Sequence, residues 1–340
     1  MTAALIITRA GPAMSLQDMG RAGHLGQGLS RGGAADPLAL AEGQALLGQT
    51  PDTAAIEMAG MGGVFTVTAP CRIALTGAPM LAMLDGVALR WNAAHLMPAG
   101  AELRIGGARA GAYGFLHVAG GIDAPMIMGA RSAHLSGGLG ALLQSGDRLA
   151  LGRDQGNLAA VGRGLDVADR FAGGELRILA SLQTEDFSAA ERDRFTNTEF
   201  RRDARANRMG MKLTHEGAPF ATAAQLDVLS EVIVPGDVQM TGAGLPFVLL
   251  PECQTTGGYP RIGTVLPCDM PRAAQAGAGA RLRFRFVSRA DALLAEQSYR
   301  AHLAGLRAAV RPLLRDPAQM GDLLSYQLID GAVSAHHEGD

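Results

Sequence analysis

Two glycine-rich stretches hold most of the side chains that could do chemistry. The first, residues 15–40, reads SLQDMGRAGHLGQGLSRGGAADPLAL and gathers Gln17, Asp18, Arg21, His24, Arg31 and Asp36 among six glycines. Glycine lets a backbone approach a ligand closely and bare its N–H groups. An arginine grips a carboxylate or phosphate through two parallel hydrogen bonds. Arg21 and Arg31 are therefore candidates for holding an anion. The same residues fit a glycine-rich surface loop equally well, with Asp18 paired to Arg21 and Asp36 capping a helix.

The second stretch, residues 252–275, reads ECQTTGGYPRIGTVLPCDMPRAAQ. Gln254, Thr255 and Thr256 supply uncharged donors and acceptors. Gly257 and Gly258 permit a tight turn, Tyr259 brings a hydroxyl or a stacking face, and Pro260 stiffens the exit. An amide or ureido group needs such a set of paired donors and acceptors. A plain hairpin with a buried tyrosine is the competing reading. A third segment, residues 207–217, carries Lys212, the sole lysine. Met211-Lys212-Leu213 has a superficial likeness to a biotinylation site but lacks the small separate domain around it, so Lys212 reads as structural or substrate-facing. Walker A and H-E-x-x-H patterns are absent. His95, His117 and His134 are far apart and read as packing residues, and no metal site is expected. The pair His336-His337 near the chain end reads as part of a frayed tail.

The elements that must position these stretches are mostly strands. Short apolar runs punctuated by glycine predict strands at 5–8, 56–57, 64–67, 72–75, 81–84, 87–90, 102–105, 113–118 and 148–151. Asp85-Gly86 predicts a tight hairpin turn. Asp36 as N-cap, Pro37 at the first turn and Gly48 as terminator predict a helix whose inner face is Leu38, Ala41, Ala45 and Leu46. After a weakly patterned connection at 152–174, strands are expected at 175–180, 228–230, 232–234, 247–250, 262–266 and 281–286. The last alternates Leu282, Phe284 and Phe286 with Arg281, Arg283 and Arg285, the pattern of a strand with one solvated basic face. Ser188 with Glu191 predicts a capping box for a short helix to Arg194, and Ser288 with Asp291 opens a long helix to about Arg311. The expected organisation is a lobe at 1–165, a second at 175–287, a helix at 288–314 and a tail at 315–340.

Composition narrows the class. The chain has 340 residues, 48% of them apolar, with a formal charge of −2, which suits a globular protein of two lobes rather than a nucleic-acid or membrane-surface binder. It lacks an apolar run long enough for a membrane span, and no leader pattern opens it. Three scattered cysteines, Cys71, Cys253 and Cys268, argue against a disulfide framework and for a cytoplasmic setting.

The motifs in order resemble one family. Residues 17–23 give Q-D-x-G-R-x-G, residues 32–40 G-G-x-x-D-P-x-A-L, residues 118–123 VAGGID, residues 208–210 R-M-G and residues 254–260 Q-T-T-G-G-Y-P. Together, across roughly 5–290, they resemble the family of KipA and the 5-oxoprolinase C subunit, which is similar to the carboxyltransferase half of urea carboxylase. The resemblance implies a mainly β fold of two cyclophilin-like β-barrel lobes. It implies one component of an enzyme that opens the lactam of 5-oxoproline to glutamate using ATP. The implied partners are a KipI-type protein, the B component, and a LamB/YcsF-type protein, the A component. Two alternatives stay open: a carboxyltransferase taking a carboxyl group from biotin to urea or a related amide, and a non-catalytic KipA-type regulator. Resemblance and chemistry together assign Arg21 to an anion, Asp18 to orienting Arg21 or acting as a base, and Gln254, Thr255 and Tyr259 to the amide. Gln17, Arg31, Arg208, Thr256, Gly257 and Gly258 complete the expected substrate surface. The chain departs from the family pattern at Asn207, where relatives carry a carboxylate, at Ala130 and Ala133, where they carry hydroxyls, and at Val232.

Overall fold

The computed structural model describes residues 3–221 and 229–314. The expected tail at 315–340, with His336-His337, lies outside the described residues, as does Val228 of the strand expected at 228–230. Its neighbours Leu229 and Ser230 are not in a strand, and pairing starts at Glu231–Val232.

Most of the structure is strand. The first lobe is two facing sheets. One runs Arg148–Ala150, Ala4–Arg9, Val64–Val67, Glu102–Ala108, Met80–Leu84, Val87–Ala88. The other runs Met14–Gln17, Ala55–Ala59, Tyr113–Val118, Cys71–Gly77, Ala93–Met97, Arg163–Gly164, Arg311–Pro312. Leu5, Ile7, Ile56, Phe65, Ile73, Leu103 and Leu116 fill the space between them. The strand Arg311–Pro312 thus returns to add an edge to the first lobe. Asp85 and Gly86 both take positive φ in the hairpin that pairs Leu84 with Val87, as their types require.

The second lobe closes completely. Its barrel runs Gly173–Leu179, Arg261–Val265, Asp237–Met240, Pro246–Leu249, Gly210–Thr214, Phe200–Asn207, Arg281–Phe286 and back to the first. The closing pair, Gly173–Leu179 with Arg281–Phe286, is parallel. Phe195, Phe200, Phe220 and Phe284 pack as mutual neighbours inside it, at centroid distances of 4.9–5.9 Å. On Arg281–Phe286 the apolar residues Leu282 and Phe284 are buried and the arginines are exposed against Glu199 and Glu175, as the alternation predicts.

Helix α1, Pro37–Leu47, begins and ends where the sequence places it, between Asp36 and Gly48. Its buried face shares only Leu46 with the expected one. Ala39, Leu40, Gly43, Leu46 and Leu47 are covered together with Glu42 and Gln44, because α1 is packed on Cys71–Gly77, on Tyr113–Val118 and on the last helix. A Cβ on Gly43 would sit 2.2 Å from the ring of buried His117, so only glycine fits this crossing. His117 is a core histidine bonded to Thr76, and burial pushes its pKa down to about 3. Helix α2, Ala189–Asn197, is capped by Ser188, but Glu191 turns to Arg194 and the Ala221 N–H instead of completing a reciprocal box. Helices α3, Met270–Gln275, and α4, Arg289–Ala309, lie where the lobes meet; α4 packs on both α1 and the barrel strand Gly173–Leu179.

Polar side chains join the lobes. Gln275 on α3 accepts from the N–H groups of Ala112 and Tyr113 and donates to the Tyr113 carbonyl and to Asp36. Asp36 also caps α1 through Ala39 and receives Arg170, whose other nitrogens fork onto Glu42 at 2.9 and 2.8 Å. Two buried carboxylates therefore share one guanidinium. Burial pushes the Glu42 pKa up to about 7; Arg170 opposes the shift and Asp36 adds to it. A folded-state pKa above the ordinary 4.5 means that the folded chain keeps a proton the unfolded chain has released. Glu42's contribution to stability is then full below about pH 4.5 and is lost as pH rises toward 7. Urea unfolding of the wild type should weaken across that window by up to about 1.4 kcal/mol per pH unit. Glu42→Gln should remove that slope; an unchanged slope would assign it to another group.

Candidate functional site

The two glycine-rich stretches meet. Gly32 N–H donates to the Pro251 carbonyl at 3.1 Å, and Gly28 faces the Thr255 hydroxyl. The first loop folds back on itself, Asp18 carbonyl to Ala34 N–H and Arg31 carbonyl to Arg21 N–H. That closure brings Gly20 and Gly33, both at positive φ, so near each other that a Cβ on Gly33 would lie 2.6 Å from the Gly20 nitrogen. The second loop is held by the short pair Glu231–Val232 with Thr256–Gly257 and by Ile233 N–H to the Thr255 carbonyl.

Between the lobes the loops line a cleft of about 400 Å³, with Leu29, Ser30 and His134 on one side and Gln254, Thr255 and Thr256 on the other. A second cleft of about 310 Å³ opens over the barrel end, sharing Met209, Cys253 and Gln254 and adding Asn207, Gln239 and Tyr259. Gln254, Thr255, Thr256 and Tyr259 thus stand at the clefts, and Gly257 borders Gln239. Asn207 lines the second cleft and spends its side-chain oxygen on the Met209 N–H.

The charged residues expected at the site are placed otherwise. Arg21 is buried and donates to the carbonyls of Ser132 at 2.6 Å and Ile127 at 3.4 Å, bracing the 127–132 loop rather than facing either cleft. Its hydrogen-bond partner is not Asp18, which takes the N–H groups of Gly20 and Arg131 and so ties two loops together. Arg31 donates to the Met19 carbonyl at the surface. Gln17 lies inside the strand Met14–Gln17 and bonds Ser15 and Ala133. Ala133, one of the hydroxyl-lacking departures, is buried there. Arg208 is fully engaged: it bonds Glu57 and the Gly33 carbonyl of the first lobe and Glu252 of the second at 2.5 Å. Glu252 also accepts from the N–H groups of Leu135 and Ser136. One arginine therefore fixes both walls of the interlobe cleft.

Ser30, which the sequence did not single out, and His134, which it gave only a packing role, also line the interlobe cleft. His134 Nε2 lies 2.9 Å from Ser30 Oγ. The Gly137 N–H points at His134 Nδ1 at 3.0 Å, and a backbone N–H can only donate. Nδ1 is then the acceptor, and the ring proton sits on Nε2, directed at Ser30. Burial holds the His134 pKa below its ordinary value, so the ring is neutral at pH 7. The imidazole is thus a donor to Ser30, not its base, and the Ser30 hydroxyl keeps its own proton to give. Cys253 lines both clefts, but burial pushes its thiol up to about 12, which excludes a resting thiolate. The site offers neutral donors and acceptors with fixed directions. Among the described residues no group of side chains is arranged to hold a metal ion.

Comparison with known proteins gives the family. The family profile "Carboxyltransferase domain, subdomain A and B" matches residues 27–286. The chain belongs to this carboxyltransferase domain family. Within the family it is 35% identical over 310 residues to the 5-oxoprolinase C subunit of Escherichia coli, spanning 89% of this chain and 97% of that one. The resemblance to that subunit read from the glycine-rich loops therefore holds. Among solved structures, TTHA0988 superposes with a TM-score of 0.76 at 29% identity over 84% of this chain, which spans only 56% of the TTHA0988 chain. The K. lactis urea amidolyase shares the fold, with a TM-score of 0.81 at 19% identity, over 93% of this chain and 21% of its own. Family membership and the barrel-containing β fold are as expected from the sequence.

Proposed function

We propose that this chain is the C component of an ATP-dependent 5-oxoprolinase, opening the 5-oxoproline lactam to glutamate together with the A and B components. One observation carries the reading: the two glycine-rich loops form a single uncharged cleft, in a chain that spans nearly all of its E. coli relative. A lactam carbonyl gains negative charge on oxygen as its carbon is attacked. Fixed, uncharged donors stabilise that charge without reorganising. Ser30, Gln254 and Thr255 are the donors assigned to it; Gln254 borders both clefts, so a ring lying in the adjoining cleft beside Tyr259 would present its carbonyl to them there. Arg21, Asp18 and Arg208 serve by holding loops in place.

Among the described residues neither cleft is lined by an arginine or lysine, so neither suits a triphosphate. The exposed apolar residues near the second cleft, Val232 and Leu229, suit a protein partner covering this end of the molecule. Among the described residues no helix is long and apolar enough to cross a membrane. The test is a coupled assay of the purified chain with its KipI-type and LamB/YcsF-type partners. Glutamate should form from 5-oxoproline only when all three and ATP are present. Carboxylation of urea dependent on a biotin carrier, with no glutamate, would favour the carboxyltransferase reading. Tight partner binding without either reaction would favour the regulatory one.

A further inference from the structure

Gln239 is a buried polar residue whose carboxamide nitrogen is left unpaired. It is 7% exposed, and its side-chain nitrogen has no hydrogen-bond partner among the described residues. An unpaired buried amide costs stability, so native proteins rarely keep one without a use. The local backbone directs it. Val238 and Met240 on either side of it pack into the barrel core, so strand alternation turns Gln239 to the opposite face, against the second loop. Gly257 of the second glycine-rich loop lies against the carboxamide: a Cβ there would stand 2.7 Å from its nitrogen. Around it the second cleft is walled mainly by Met209, Ile233, Phe247 and Leu249, with Tyr259 at its lip.

A carboxamide carries a donor and an acceptor side by side. Its natural complement is an amide whose N–H and C=O also point along one edge. A small ring enforces that arrangement, because its amide is locked cis; an open-chain secondary amide is trans and must be turned at considerable cost. The terminal torsion of glutamine is soft, so both ends can turn to one ligand. We propose that Gln239 is the specificity residue of the second cleft and reads the cis-amide edge of a small lactam. This deepens the 5-oxoprolinase reading and rests on it only for the identity of the ring. Among the described residues no cation lines the cleft, so recognition is of the neutral ring, and a carboxylate on it would project toward the partner protein.

The test uses the full chain and ligand-detected NMR titration with 2-pyrrolidinone, its open-chain counterpart N-methylacetamide, and the cyclic urea 2-imidazolidinone. The lactam should bind saturably, and N-methylacetamide about seventyfold more weakly, the factor set by turning its amide cis. Gln239→Leu should weaken the lactam at least tenfold while leaving Tm unchanged or raised, since it removes an unpaired buried amide. If the leucine variant does not fold, Gln239→Asn, which withdraws the carboxamide from the cleft, should give the same loss of binding. Absence of lactam binding, equal binding of N-methylacetamide, or tenfold preference for 2-imidazolidinone would each overturn the assignment. So would unaltered binding in the variants. If the isolated chain binds lactam through Gln239 but the assembled enzyme forms no glutamate, the proposed reaction fails and this inference stands. If Gln239→Leu turns over 5-oxoproline like the wild type, the inference fails and the reaction stands.

Discussion

Arg208→Met will destabilise the protein by on the order of 3–5 kcal/mol, the cost of removing one partner from a buried ion cluster. Glu57 and Glu252 are both buried, and Arg208 is the guanidinium that faces them. Without it, two carboxylates confront each other across the lobe boundary. Burial already raises the Glu57 pKa against the pull of Arg208. In the variant only the Ala35 N–H still opposes that rise, so Glu57 will tend to keep a proton. A raised folded-state pKa gives stability at low pH that is lost as pH rises. The variant should therefore be less impaired at pH 5 than at pH 8 in urea unfolding. Adding Glu57→Gln and Glu252→Gln should recover part of the loss, since a neutral amide can still accept from Ala35, Leu135 and Ser136 N–H groups. Arg208→Met that unfolds like the wild type would mean that the arginine is free to meet a ligand, as the sequence alone suggested.

That contrast marks what could and could not be read before the structure. Elements announced by local chemistry were legible: α1 by Asp36, Pro37 and Gly48, the Asp85-Gly86 turn, and the alternating strand Arg281–Phe286. Elements made by their neighbours were not. Phe200–Asn207, FRRDARAN, buries only Phe200 and reads as a charged loop, yet it is a barrel stave because its backbone is paired on both sides. Asp237–Met240 buries Asp237 and Gln239 as fully as Val238 and Met240, so no alternation marks it. Ala93–Met97 contains two alanines with little β preference and owes its pairing to the strand beside it.

The site follows the same rule. Residue types within one loop pointed to Gln254, Thr255, Thr256 and Tyr259, and these stand at the clefts, since short neutral side chains on a tight turn have few internal partners. They could not predict where long arginines would go. Arg21 reaches the Ser132 carbonyl 111 positions away within the first lobe, and Arg208 reaches Glu57 and the Gly33 carbonyl across the lobe boundary, so neither set of contacts exists before distant segments are brought together. Ser30 and His134, separated by 104 positions, carry no mutual signal at all in a single sequence. What brings them together is the first loop folding back on Gly20 and Gly33, a consequence of glycine placement rather than of any catalytic motif.

Ser30→Ala should lower kcat of the assembled enzyme by about 10²–10³-fold, the loss seen when one fixed donor to a developing oxyanion is removed. KM should move little, because the hydroxyl matters most when charge has grown on the carbonyl oxygen. The histidine beside it decides between two mechanisms. Were His134 a base that activates Ser30, its Nε2 would need a free lone pair, and kcat would fall on the acid side as that nitrogen took a proton. The Gly137 N–H at Nδ1 places the proton on Nε2 instead. His134→Gln keeps an N–H able to reach Ser30 and should retain at least a tenth of wild-type kcat, with no histidine limb in the kcat–pH profile of either protein between pH 6 and 9. A variant as inactive as Ser30→Ala, together with a wild-type limb that disappears on substitution, would restore the nucleophilic serine. The distinction matters chemically: a serine nucleophile would leave an acyl-enzyme on this chain, whereas a serine donor only steadies a carbonyl that another group attacks. A cleft furnished with neutral donors, a proton-bearing imidazole and a thiol pushed up to about 12 suits the second role better than the first.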